Sequence, residues 1–275
     1  MITYLVWSDS YGDILREEKV PILVNFATLS YKVDLSHYEL GYKTAGIIIP
    51  EGFDKVIIDS GGYQLQSGAD CNRLPNVHQY GRWLADYVLG KRPEVKGYFN
   101  LDIFKDPVAT MENQFILENE YGLKPIPIYH MGDDYEYMDY YYQNYDYIAI
   151  GGIAFGMAKN KFIMPRVMGM LHQYYPNRKY HLFGVGLTSI YVFKEFAPYS
   201  VDFSTWSNPA RFGMQMIIEK GVIRERFLSD EERERLRNDK KFLRAHLKKS
   251  VRTLKELSRL VNEIHKDEYQ ELMFK

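Results

Sequence analysis

The chain has 275 residues, enough for one large domain or two modest ones, and 46% of them are apolar, so a sizeable core can form. Acids and bases nearly cancel, 36 against 35, although they are spread unevenly. A single cysteine, Cys71, excludes an intrachain disulfide and any multi-cysteine zinc site, and no apolar run approaches the ~20 residues of a membrane helix.

The N-terminal stretch Met1-Ile2-Thr3-Tyr4-Leu5-Val6-Trp7 lacks a basic region and a small-residue cleavage site, and it reads as a strand rather than a signal peptide. With the single cysteine, this gives a cytoplasmic expectation. Short apolar segments then recur at Pro21–Phe26, Lys55–Asp59, Gly97–Asp102, Pro125–His130, Asp146–Gly151, Tyr180–Val185 and Tyr199–Phe203. Several are nearly continuous apolar runs, as suits strands buried on both faces. Stretches of helix-forming length lie between the later ones, at Asn76–Leu89, Pro107–Tyr121, Lys161–Tyr174 and Leu187–Phe196. Strand alternating with helix implies a parallel sheet with crossover connections. Eight strands in this length predict an α/β fold, a (β/α)8 TIM barrel over residues 1–215. A doubly wound sheet would usually carry GxGxxG after its first strand, and none follows Ile2–Trp7.

The strand ends hold the chemistry-bearing residues. Val56-Ile57-Ile58 empties into Asp59-Ser60-Gly61-Gly62-Tyr63-Gln64, where an acid can move a proton, glycines admit a flat ligand and a tyrosine ring can stack. Other ends carry Asp102, His130, Gly151-Gly152, Gly184-Val185-Gly186 and Asp202. Each alone reads equally as a cap or turn residue. In a barrel they would converge on one mouth.

Two further segments admit two readings each. Tyr135, Tyr137, Tyr140, Tyr141, Tyr142, Tyr145 and Tyr147 suit a short amphipathic helix with packed rings, or a stacking surface for unpaired bases; the packing reading is favoured. Residues 216–275 are expected to form a basic helical extension packed on the barrel. It is opened by the capping box Ser229-Asp230-Glu231-Glu232, with Leu236, Leu243, Leu247, Val251, Leu254 and Val261 among the apolar positions at helical spacing. Between Arg233 and Arg259 its many cations face only Glu234, Asp239 and Glu256. That face is either solvated or a nucleic-acid footprint, with Lys240, Lys241, Arg244, Lys248 and Lys249 as candidate phosphate contacts.

Taken together, Asp59–Gln64, Leu101-Asp102, Ile150-Gly151-Gly152-Ile153-Ala154, His181-Leu182-Phe183-Gly184-Val185-Gly186 and Asp202 resemble, in order, the motifs of the tRNA-guanine transglycosylase superfamily. The resemblance spans roughly residues 20 to 215. It implies a (β/α)8 barrel that exchanges guanine for a 7-deazaguanine without cutting the phosphodiester chain. By this resemblance Asp202 is the nucleophile that forms a covalent glycosyl-enzyme and Asp59 the general acid/base. Asp102 accepts from the base's N–H edge, with Ser60 beside it. The Gly151-Gly152 backbone contacts the exocyclic oxygen, and Tyr63 and Phe183 sandwich the ring. The target base must leave its stack to reach such a pocket.

The departures are informative. The family's zinc subdomain uses three cysteines, and no cysteine follows Cys71 here, so neither metal nor cofactor is expected. His130, in Tyr129-His130-Met131-Gly132, stands where the family has Gln-Gly-Gly and is read as a replacement base reader, the other reading being a capped strand-end histidine. Beyond Asp202, the family's Pro-Thr-Arg becomes Phe203–Arg211, and Arg211 is a candidate phosphate ligand. Missing zinc, short length and an altered nucleophile loop point to the divergent branch of phages and bacterial clusters that modifies DNA. The expected partners are DNA first and tRNA second, together with a free 7-deazaguanine such as 7-cyano-7-deazaguanine, and no membrane. A homodimer stays open. The alternatives are a zinc-less tRNA-guanine transglycosylase of queuosine or archaeosine type, a non-catalytic base-binding subunit, and a barrel hydrolase of small nucleosides.

Overall fold

A computed structural model describes residues 1–30, 48–62, 76–153, 163–185, 192–219 and 222–267. In chain order the elements are β1 (Ile2–Val6), α1 (Gly12–Glu17), β2 (Ile22–Asn25), α2 (Phe26–Ser30), β3 (Val56–Asp59) and α3 (Val77–Trp83), which runs on as a π-helical turn, Leu84–Val88. Next come β4 (Val95–Tyr98), α4 (Pro107–Asn119), β5 (Ile128–His130), α5 (Tyr135–Asn144), β6 (Tyr147–Gly151), α6 (Ile163–Tyr174), β7 (Lys179–Leu182) and β8 (Ser200–Phe203). The chain continues with α7 (Asn208–Phe212), β9 (Met214–Glu219), β10 (Val222–Phe227), α8 (Asp230–Asn238) and α9 (Lys240–Ile264).

The fold is α/β, and β1 to β8 form one eight-stranded sheet in the order β4-β3-β2-β1-β8-β7-β6-β5. The pairs β1–β8, β2–β3, β3–β4, β5–β6 and β7–β8 all run parallel. The chain divides into two compact units, one of residues 21–152 and one of residues 1–20 with 153–275.

In the unit of residues 21–152, β2 pairs with β3 and β3 with β4, while β5 pairs with β6. A parallel bridge between Phe99 and Ile126 links the end of β4 to the segment before β5. The β4 strand ends at Tyr98, earlier than the predicted Gly97–Asp102, because beyond it only that bridge continues the ladder. Asp102 therefore lies in the loop after the strand. Phe26 packs its ring 5.0 Å from Tyr80 and 4.8 Å from Trp83, all fully buried, which anchors α3 under the sheet. Helix α3 starts on a capping box of Asn76 and Gln79, and α4 on Asp106 followed by Pro107, so two orphan helix ends are satisfied locally. The tyrosine-rich segment forms α5, with Tyr141 buried and edge-on to Tyr140 and Tyr145, as the packing reading expects.

In the other unit, β8 is flanked by β1 and β7. The segment expected as a helical extension, residues 216–275, also includes most of the antiparallel hairpin β9–β10. The charges of Arg224, Glu225 and Arg226 break any apolar run in β10, so composition hides the strand. Of the predicted Leu187–Phe196 helix, the described part is a 3-10 turn at 192–194. Asp239 both ends α8 and caps α9, accepting from the Lys241 and Phe242 amides, so the extension holds two helices. Helix α9 buries Leu247, Val251, Leu254, Leu257 and Val261, the apolar face foreseen from their spacing. Among the described residues no helix is long and apolar enough to cross a membrane.

Candidate active site

The unit of residues 21–152 gathers most of the predicted site. Because β2 and β3 run in register, Asn25 stands opposite Asp59 at the strand ends. The Asn25 amide donates to Asp59 Oδ2 at 2.6 Å, and the Gly61 N–H reaches Asp59 Oδ1 at 3.3 Å. Asn25 is itself oriented by the Thr28 amide, which donates to its Oδ1 at 2.9 Å. Gly61 has φ +97°, and a Cβ there would meet Ala27 Cβ at 2.4 Å, so only glycine lets the chain turn back so tightly beneath Asp59. A Cβ on Gly62 would lie 2.2 Å from Asp102 Oδ1, so the second glycine admits the close approach of that carboxylate.

Asp102 is the hub of this centre. Ser60, fully buried, points its hydroxyl at Asp102 Oδ1 at 3.5 Å, and His130 Nε2 lies 2.8 Å from Asp102 Oδ2. On the other side of the imidazole, Nδ1 is 3.6 Å from Asp133 Oδ2, and the His130 backbone N–H donates to that same oxygen at 3.3 Å. Burial disfavours the imidazolium, but the hydrogen bond to Asp102 and the charges of Asp102 and Asp133 outweigh it and raise the His130 pKa to about 9. His130 is thus a cation between two carboxylates at neutral pH. Its side chain is only 5% exposed, and both ring nitrogens face acids. Gly151 is the position where a Cβ would strike the imidazole, 2.8 Å from Cδ2. The Gly151 carbonyl accepts from the Met131 N–H at 3.0 Å, and Gly152 turns with φ +76°. Phe104 stacks edge-on to His130 at 5.5 Å. Tyr63 lies outside the described residues.

The second unit carries its own carboxylate centre. Asp202 on β8 keeps 14% of its side chain exposed and accepts the Gly184 N–H at Oδ1, 3.4 Å away. His181 on β7 is fully buried, with Nε2 3.6 Å from Asp202 Oδ1 and Nδ1 2.7 Å from Ser200 Oγ. The β7–β8 register sets His181 opposite Ser200, and Ser200 and Asp202 share a face of β8 two residues apart. Burial holds the His181 pKa below the usual histidine value despite the opposing pull of Asp202, so this imidazole is neutral at pH 7. Phe183 sits edge-on to His181 with centroids 4.5 Å apart and is half-buried.

The predicted phosphate contacts separate into two groups. Arg244 forms ion pairs with Asp13 and Glu17 of α1, and Lys248 pairs with Glu17 at 2.6 Å. Arg252 joins Glu18 at 2.8 Å, continuing the same seam. Lys240, Lys241 and Lys249 are exposed, and Lys249 borders a groove of about 680 Å³ between β9 and α9, floored by Ile217, Ile218 and Ala245. Arg211 is exposed, its guanidinium 4.9 Å over the Phe212 ring. Among the described residues no group of three or more His, Cys, Asp and Glu side chains is set to hold a metal ion.

Asn25, Asp133, His181 and Ser200 are site residues that sequence reasoning does not single out. Asn25 carries a signal, being the polar end of an apolar run like Asp59; the others depend on register and loop path. No protein-family model and no curated protein matches the chain.

Proposed function

We propose that the chain is a base-exchange transglycosylase that replaces guanine in DNA with a 7-deazaguanine through a covalent glycosyl-aspartate. The observation that carries this reading is the linked cluster in residues 21–152. There Asn25 and Gly61 hold Asp59, while Ser60 and His130 hold Asp102, with Gly62 close against Asp102 and Gly151 close against His130. Sequential strands in an eight-stranded order, with the Phe99–Ile126 bridge between the segments of β4 and β5, support the (β/α)8 form of the fold.

In the reaction, one Asp202 oxygen attacks C1′ of the target nucleoside while the C1′–N9 bond breaks. The departing guanine takes the bonding electrons and a proton from Asp59. The 7-deazaguanine then loses its N9 proton to Asp59 and attacks C1′ from the same face, releasing Asp202. Two inversions give net retention, as in retaining glycosidases. Asp102, fixed by His130, keeps lone pairs for the base's N–H edge, since a carboxylate offers about four acceptor sites. In this assignment His130 holds Asp102 rather than touching the base. Phe183 and Tyr63 stack on the ring.

Lys240, Lys241, Lys249 and Arg211 contact the polymer backbone, whereas Arg244 and Lys248 mainly bind α9 to α1. The test is incubation with labelled 7-deazaguanine bases and either duplex DNA or tRNA. Label in DNA supports the reading. Label in tRNA alone moves the polymer assignment, and label in neither overturns the activity.

A further inference from the structure

Ser200, His181 and Asp202 form a line in the unit of residues 1–20 and 153–275, with the serine hydroxyl 2.7 Å from one imidazole nitrogen and the carboxylate 3.6 Å from the other. The residue types are those of a hydrolase triad, but the exposure runs the other way. Ser200 and His181 are fully buried, and only Asp202 reaches the surface. A serine nucleophile must meet its substrate, and this one cannot. The end of the line that can react is the carboxylate.

We infer that His181 is a positioning residue for Asp202: the Ser200 hydroxyl donates to Nδ1, which places the proton on Nε2, and that N–H, with the Gly184 amide, holds Oδ1 so that Oδ2 is the attacking atom. The inference rests on the transglycosylase reading. Both neighbours of Asp202 address Oδ1, and Oδ2 has no hydrogen-bond partner among the described residues. The 3.6 Å separation is longer than a hydrogen bond, and closing it takes roughly 0.7 Å, the kind of tightening that accompanies substrate binding. The neutral state of His181 matters to the chemistry. An imidazolium would form an ion pair with Asp202 and blunt the charge that attacks C1′, whereas a neutral N–H orients the carboxylate and leaves its charge in place. As the ester forms at Oδ2, Oδ1 becomes a carbonyl oxygen and still accepts the same two N–H groups.

The first test is spectroscopic and independent of turnover. In protein labelled with ¹⁵N-histidine, long-range ¹H–¹⁵N spectra at pH 7, assigned by loss of the signal in His181→Gln, should show the Nε2–H tautomer. The Nδ1–H tautomer or an imidazolium overturns the inference. The second test compares trapping of the covalent adduct. His181→Phe should slow adduct formation about 100-fold, the usual scale for loss of reactant alignment, with KM for the free base unchanged. His181→Gln, whose amide nitrogen can occupy the place of Nε2, should recover at least tenfold of that loss. A folded Phe variant that forms adduct at the wild-type rate overturns the inference. If the Phe variant does not fold, Ser200→Ala takes its place: the imidazole should populate both tautomers and the adduct rate should fall, and an unchanged tautomer and rate overturn the inference. Wild-type protein that yields neither exchange nor adduct overturns the functional reading instead, and the tautomer then decides the placement of His181 alone.

Discussion

The two histidine–aspartate pairs are built from the same residues and end in opposite charge states. At His130, two carboxylates bracket the ring within 3.6 Å, and their attraction overcomes burial, so the imidazole carries a proton to about pH 9. At His181, one carboxylate faces the ring beyond hydrogen-bond distance, a serine hydroxyl occupies the other nitrogen, and burial wins. A histidine's charge is therefore set by how many acids lie close to it, not by burial alone, since both rings are buried. The consequence for each aspartate follows. Asp102 is held by a cationic ring at 2.8 Å. Asp202 faces an uncharged ring at 3.6 Å.

The largest effect should come from Asp202→Asn. An amide is a poor nucleophile, so base exchange should drop by about 10⁴-fold or more and no covalent adduct should appear on a denaturing gel. An adduct that persists in this variant would remove Asp202 from its role and end the contrast between the pairs. Asp102→Asn should act on the other property. It leaves the buried His130 without its nearest counter-ion, and removing one partner of a buried pair costs about 3–5 kcal/mol in urea unfolding. A variant as stable as wild type would show that the pair is not an ion pair.

The wild-type stability curve sharpens the same point. The folded pKa of His130, about 9, lies above the unfolded value of 6.5. Its contribution is therefore complete below about pH 6.5, falls as pH rises and is gone once pH passes about 9. The span corresponds to about 3 kcal/mol at 1.36 kcal/mol per unit, and His130→Gln should flatten the curve between those limits. His181 should contribute no such loss on the alkaline side.

A smaller effect isolates polymer binding from both pairs. Neutralising Lys240, Lys241 and Lys249 should lower the dependence of log affinity for duplex DNA on log salt by about 0.9 for each phosphate left without its cation, with affinity for the free base unchanged. An unchanged slope would mean that these lysines face only water. Smallest of all, Arg244→Ala should change unfolding free energy by about 1 kcal/mol or less, as an exposed ion pair should. A change in the salt slope there would return Arg244 to the phosphate-binding set.

The strands are plain in the sequence because each is a short apolar run that stops at a polar or glycine residue, and all eight runs form strands. Asp59 and Asp102 are visible by the same rule. What stays hidden depends on distance across the chain. Asp133 meets His130 only because Gly132, with φ +109°, turns the loop back. His181 lies on β7, two residues before Phe183, and nothing in its local sequence announces that register sets it against Ser200 on another strand. The cations of α9 read as a free basic face because Asp13 and Glu17, which pair with Arg244, lie more than two hundred positions earlier, with Arg244 and Asp13 231 apart.

That long separation bears on how the molecule is made. Residues 21–152 are continuous, so this unit has all of its own strands once it has emerged from the ribosome. The other unit is split across the chain, and β1 finds β8 only after nearly two hundred further residues, Thr3 pairing with Val201. Its first segment is then tied down by α9 through Ser258 and Asn262, whose side chains donate to the Met1 carbonyl, and through Arg252 on Glu18. During synthesis the centre around Asp102 can therefore form early, whereas the strand beside Asp202 waits for the last long helix, so a nascent chain completes the two histidine–aspartate pairs in sequence, His130 first and His181 last.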